Sequence, residues 1–171
     1  LITISQDKFS NGFDLNLAQA AGSTEARHRL HHMGNSLKRV MAELISLPMP
    51  TVITVGFMWA LSHDYLLMRS DRGVLYISEV DIGLTLPHYF VALVVAKFGF
   101  CSVRCVVEGL EGQGGEAVKM GIKDVAHTSP EMLQEASVWM GEQLASRKWD
   151  GDVYAEIRKS LYPELLALLG L

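Results

Sequence analysis

Apolar positions along the chain recur at two different periods, and the switches between them divide it into strands and helices. Leu1 to Ile4 and Thr51 to Val55 are short apolar or β-branched runs of the kind that fits a pleated, buried surface. Tyr65 to Arg69 and Val74 to Ile77 read the same way, separated by a turn at Ser70-Asp71-Arg72-Gly73. Residues 23 to 47 carry the clearest helical signal: Ala26, Leu30, Met33, Leu37, Val40, Met41 and Leu44 recur at three and four. Ser23 or Thr24 is expected to cap that helix, and Pro48 and Pro50 to end it. Residues 57 to 62 predict a short helix, and Pro87 opens another that runs to about Phe98. The segment 114 to 126 reads as a short helix closed by Gly121 and then a strand. Ser129-Pro130-Glu131 sets a cap, a first-position proline and a first-turn acid in succession. Leu133, Ala136, Met140 and Leu144 mark the buried face of the helix that follows. A last helix begins near Gly151 and is kinked or divided at Pro163.

Strands that alternate with helices make βαβ units, so the fold class is α/β, with a mostly parallel sheet and helices packed against it. A length of 171 residues suits one domain, and neither a repeat nor a low-complexity linker divides 1–171. In such sheets ligands bind beyond the carboxyl ends of the strands. That points to the loop after Ile4 and to the joint after Val55. The joint is odd. Gly56 alone separates the strand from the helix at Phe57, where an α/β connection normally takes about two to six residues.

Composition narrows the classes. Apolar residues make up 49% and charged residues 20%, the balance of an ordinary globular protein. A net charge of −4 gives no basic footprint for nucleic acid, and no apolar run approaches a membrane span. The chain opens inside an apolar run without a charged n-region or cleavage site, which reads as a sequence entered midway, not as a signal peptide. Cys101 and Cys105 have neither CxxC spacing nor partners for a disulfide framework, and read as small apolar residues in a reducing compartment.

Candidate chemistry is sparse. His28 and His32 have the i, i+4 spacing of metal ligands but fall on the polar face of their helix with no Glu after His28, so no metal site is read. His63-Asp64 suits packing at a helix end. FSNGFD lacks the Lys-Ser/Thr of a phosphate loop, GLEGQGGEA matches a dinucleotide fingerprint only loosely, and no GxSxG elbow exists. Two features survive. FSNGFDL is a glycine-containing bend whose backbone N–H groups can face an anion. Glu79 lies among Ile77, Val80 and Ile82, apolar surroundings that disfavour its ionised form and tune it toward general acid/base work.

Taken together, FSNGFDL, LISLPMPT, ALSHDYLLMR, DRGVLYISEVDIGL, EAVKMGIKD and VYAEIRKSLYPEL run across nearly the whole chain in a familiar order. They resemble the crotonase (enoyl-CoA hydratase/isomerase) superfamily and, within it, the plant peroxisomal 3-enoyl-CoA to 2-enoyl-CoA isomerases. The resemblance implies a crotonase-like core, a spiral of ββα repeats, with C-terminal helices over about 129–171. It implies an oxyanion hole of two backbone N–H groups, one from Phe13 and one from a Gly/Ala-rich loop of which only the last residue, Gly56, is present. It therefore accounts for the short joint: a loop resembling GHAAAAG, one Phe of KFFSNG and the family's first strands are expected in the complete protein. Glu79 takes the position of the acid/base, and Met58 stands where hydratases place a second glutamate. One carboxylate suits isomerisation, in which a proton moves from C2 to C4 of the acyl chain through a dienolate. Ser10, Asn11 and Gly12 are implied in coenzyme A binding; Met58, Trp59 and Leu84 are read as walls that exclude water, with a core role as the alternative. The resemblance further implies an acyl-CoA substrate, no metal or redox cofactor, a homotrimer or dimer of trimers, and a peroxisomal location, although LLALLGL is not a peroxisomal tripeptide. Hydration of a 2-enoyl-CoA, or a silent scaffold that only binds acyl-CoA, are the alternatives.

Overall fold

The computed structural model describes residues 2–3, 14–20, 22–54, 60–70, 83, 85–108, 118 and 124–171, without the side chains of Ile2, Thr3, Ser23 and of 99–108. Strand β1 (Ile2–Thr3) is followed by helices α1 (Leu15–Gln19) and α2 (Ser23–Ser46), then strands β2 (Val52–Ile53) and β3 (Tyr65–Arg69). Helix α3 (His88–Glu108) and strand β4 (Val125–His127) precede three C-terminal helices, α4 (Pro130–Ala145), α5 (Gly151–Ser160) and α6 (Pro163–Leu169).

Several of these elements start and stop for reasons visible in the sequence. The Ser129 side chain accepts a hydrogen bond from Met132 N at 3.2 Å, with Pro130 in the first turn of α4. Pro163 opens α6, which divides the last helical segment in two, and Gly170 closes it in the left-handed region at φ 83°. Helix α2 ends at Ser46 because Leu47, just before Pro48, takes the extended backbone that a following proline favours. Other details differ from expectation. The residue that caps α2 is Gly22, at φ 84°, a backbone that Ser23 or Thr24 would adopt only with strain. Helix α1 was not foreseen; Asp14 caps it, accepting from Leu17 N at 2.9 Å. Helix α3 continues past Phe98 to Glu108, so Cys101 and Cys105 are helical, because one internal glycine (Gly99) costs a long helix only about 1 kcal/mol. Strand β2 is shorter than its β-branched run, since Thr51 and Thr54 lie outside it. The expected strand 74 to 77 and nearly all of the helix expected within 114 to 126 lie outside the described residues, as do 57 to 59 of the helix expected at 57 to 62, of which Ala60 is helical and Leu61 and Ser62 form a turn.

Among the described residues the four strands are parallel, in the order β1-β2-β3-β4. The register pairs Val52 with Tyr65 and Leu67 with Val125, which sets Val52, Tyr65, Leu67 and Val125 on one face. Helix α4 packs there through Leu133, Ala136, Met140 and Leu144. A second core joins Leu37, Met41 and Ile45 of α2 to Phe90, Leu93 and Val94 of α3 and to Leu165 and Leu169 of α6. Val40, expected on the core face of α2, lies off it and is exposed.

Helix α5 is turned the opposite way from its apolar pattern. Val153, Ile157 and Leu161 form a stripe that faces solvent, while Ala155 and Arg158 face inward, Arg158 at 4% exposure. The helix sits tightly at its start: a Cβ on Gly151 would meet Pro48 O at 2.8 Å, whereas one on Gly34 within α2 would meet only Tyr89 Oη at 3.9 Å. Gly151→Ala should therefore destabilise by about 1–3 kcal/mol through overpacking, and Gly34→Ala should stabilise by about 0.5–1 kcal/mol through helix propensity. Opposite shifts of the urea midpoint would verify this docking of α5.

Candidate active site

Parallel pairing fixes where a ligand can sit. Ile2 pairs with Val52 and Thr3 with Ile53, so the chain leaves β1 and β2 side by side at the same carboxyl edge of the sheet. The residues that next follow in the chain are those for which the sequence suggested a role: Ser10, Asn11, Gly12 and Phe13 after β1, and Gly56 and Met58 after β2. All six, together with Glu79 and Leu84, lie outside the described residues. Their flanks are described. Phe13 directly precedes Asp14, the cap of α1. Gly56 and Met58 fall between two buried stretches, Thr51–Thr54 and 60–63. Leu84 follows Gly83, which holds φ 68°. His28 and His32 are exposed on α2, a solvated face as expected.

The opposite, amino edge of the sheet is closed by a buried polar network that sequence reasoning missed. Its hub is Asp64. One carboxylate oxygen accepts from Thr51 N at 2.7 Å and from Thr51 Oγ1 at 2.8 Å. The other lies 3.0 Å from Arg158 Nε. In return Asp64 N donates to Thr51 O and to Thr51 Oγ1, each at 3.1 Å, and Tyr65 N donates to Thr51 O at 3.1 Å. The starts of β2 and β3 are thereby laced together across the segment that contains Gly56. Two cations hold the carbonyls just ahead of Asp64: Arg158 Nη2 donates to Ser62 O at 3.3 Å, and Lys97 Nζ to His63 O at 2.8 Å. Lys97 also lies 5.5 Å from the Tyr162 ring centroid. At the next strand Leu66 N donates to Asp124 Oδ2 at 2.6 Å.

Burial sets the electrostatics. It lowers the Lys97 ammonium below its ordinary pKa despite attraction from Asp64, and it raises the Asp124 carboxyl despite the hydrogen bond from Leu66 N. The Tyr154 hydroxyl is pushed up to about 12, first by burial, then by the negative charge of Asp64. Asp64 therefore meets Thr51 and Arg158 together, which engages both of its carboxylate oxygens. A carboxylate so engaged is a frame, not a base. The sequence carried one faint signal of it: an arginine at the i+3 position from the small Ala155, on the side of α5 opposite its apolar stripe.

The raised Tyr154 predicts a pH effect of definite sign. The folded protein keeps the phenolic proton to higher pH than the unfolded chain, so this contribution is intact below pH 10 and lost as pH rises toward about 12. Lys97, lowered on folding, contributes in the opposite sense near its own titration. Stability of Tyr154→Phe, measured by denaturant unfolding, should fall less steeply over that range than that of the unmodified protein. Equal slopes would show that Tyr154 does not titrate against Asp64.

No protein-family model matches the chain. It is 55% identical to "Enoyl-CoA delta isomerase 2, peroxisomal" of Arabidopsis thaliana over all of its own length and 76% of the relative's. It is 53% identical to "Enoyl-CoA delta isomerase 3" of the same plant, again over its whole length and 76% of the relative's. The first alignment runs to 183 positions against 171 residues, so that relative carries residues within the matched region that this chain lacks. Among solved structures, the human mitochondrial delta3-delta2-enoyl-CoA isomerase superposes with a TM-score of 0.80 at 17% identity, over 99% of this chain and 67% of that one. That likeness establishes the crotonase fold expected from the sequence.

Proposed function

The chain belongs to the enoyl-CoA delta isomerase family, and from that membership we propose that it moves the double bond of a 3-enoyl-CoA to the 2-position, giving trans-2-enoyl-CoA for fatty acid β-oxidation. The observation that carries this reading is 55% identity sustained along the whole chain. In the mechanism we favour, the Glu79 carboxylate removes a proton from C2 and returns it at C4. Negative charge collects meanwhile on the thioester oxygen, where Phe13 N–H and a donor from the segment ending at Gly56 meet it. Two such donors, each worth about 3 kcal/mol at the transition state, would supply a large share of the rate. The parallel pairing of β1 with β2 supports this division of labour, since both donor segments follow strands that end at one edge. Met58 in place of a second glutamate leaves no carboxylate to activate water, which favours isomerisation over hydration. Ser10 to Gly12 take the coenzyme A side of the substrate, and Met58 and Leu84 keep water from the dienolate. The shuttle returns the proton it takes and calls for no metal or redox group.

The first of these relatives is named as peroxisomal, and the same compartment is our reading for this chain. The homotrimer or dimer of trimers implied by the resemblance is supported by the exposed stripe Val153, Ile157 and Leu161 on α5. Leu161→Lys should lower the mass measured by sedimentation equilibrium; an unchanged mass would remove α5 from the contact.

The deciding experiment is turnover of cis-3-hexenoyl-CoA to its conjugated 2-enoyl isomer. Glu79→Gln should lower kcat by about 10²–10⁴-fold, the range for loss of a positioned acid/base. Absence of turnover in the unmodified protein would overturn the reading, and full activity in Glu79→Gln would remove Glu79 from it.

A further inference from the structure

A buried arginine is a poor device for stability alone. Among the described residues Arg158 leaves Nη1 without a hydrogen bond, its Nε meets Asp64 Oδ1 at 3.0 Å as an ion pair without hydrogen-bond alignment, and Ser62 Oγ is likewise buried and unpaired. Replacing such an ion pair with apolar side chains is often neutral or stabilising. What a guanidinium does that an apolar residue cannot is attract a carboxylate and donate to a carbonyl at the same time. Here those two groups are Asp64 and Ser62 O.

Both belong to the stretch in which the chain returns from the Gly56 segment. Ala60, Leu61, Ser62 and His63 are buried, and their exit is held by Arg158 on Ser62 O and Lys97 on His63 O. The entry, Thr51 to Thr54, is buried as well and is bound to Asp64 through Thr51 N and Oγ1. One carboxylate therefore ties entry to exit, and one guanidinium, 96 residues from Ser62 in sequence, fixes both to α5. We propose that Arg158 is a positioning residue for the reaction: acting through Asp64 and Ser62 O, it sets the placement of the strand end and helical turn that flank the second oxyanion donor. This rests on the isomerase reading above. Lys97 has the same role from the side of α3, through a single carbonyl. Displacement of a reacting group by about 1 Å can lower a rate by about 10²-fold, so a small tilt of these flanks suffices to be felt.

The test compares the unmodified protein with Arg158→Met and Arg158→Lys. Lysine keeps the positive charge beside Asp64 but lacks the fork that reaches Ser62 O at the same time; it also serves should the methionine variant fail to fold. Kinetics with cis-3-hexenoyl-CoA are read at a temperature where thermal unfolding shows each variant folded. Bound hexanoyl-CoA, which has no double bond to move, reports the polarisation of the thioester carbonyl through its infrared stretching frequency. The expected result is a kcat lower by about 10–100-fold with KM within about threefold, together with a carbonyl stretch that moves back toward its value in free hexanoyl-CoA. The lysine variant should show the same two changes in smaller measure. A variant that melts earlier but keeps both kcat and the carbonyl shift would overturn the proposal and leave Arg158 a purely structural residue. Failure of the isomerase reading has a different signature: the unmodified protein itself neither turns over the 3-enoyl substrate nor shifts the carbonyl, and the proposal then falls with it.

Discussion

Much of the described structure turns on a single carboxylate, that of Asp64. A parallel sheet cannot close its strand ends with hairpins, so each strand start presents N–H groups that something else must satisfy. At β2 and β3 that something is Asp64 and Thr51, which satisfy one another's backbone and side chain. The cost of burying the negative charge is offset by Arg158, and this requirement reaches far along the chain. It explains why α5 lies with Arg158 inward and its apolar stripe outward, against the simple rule for an amphipathic helix.

The two edges of the sheet thus do different work. The amino edge holds Asp64, Asp124 and the cations that meet Asp64, in surroundings that push Lys97 and Asp124 toward their neutral forms. Apolar packing by α4 on one face holds the strands in register between the two edges. The carboxyl edge is where the chain departs toward the residues assigned to substrate. Stabilising an oxyanion with backbone donors requires that those donors be aimed before charge develops. With β2 only two residues long, an edge locked by ions at its start is a short lever toward that aim at its end.

The elements were largely legible in the sequence. Periodicity along α2, the Ser129-Pro130 start of α4 and the break at Pro163 each rest on local chemistry, and each was found where expected. The assignment to the crotonase superfamily rested on motif order, which the whole-length identity with delta isomerases supports. Less legible were features that depend on competition between distant groups. The cap of α2 fell to Gly22 because the chain arrives with positive φ, and α3 ran on past Gly99 because length outweighs one weak residue.

The sequence alone determined most of the described strands and helices, that they alternate, and the family whose motifs they carry, since these follow from neighbours within a few residues. Tertiary structure alone decided the roles of Asp64, Arg158 and Lys97. Asp64 next to His63 suggested no more than the packing of a helix end, and an arginine in EIRKS looks like any solvated charge. Their meaning arises when β2, β3, α3 and α5 converge. Only then does removal of water make an ion pair necessary and its geometry specific.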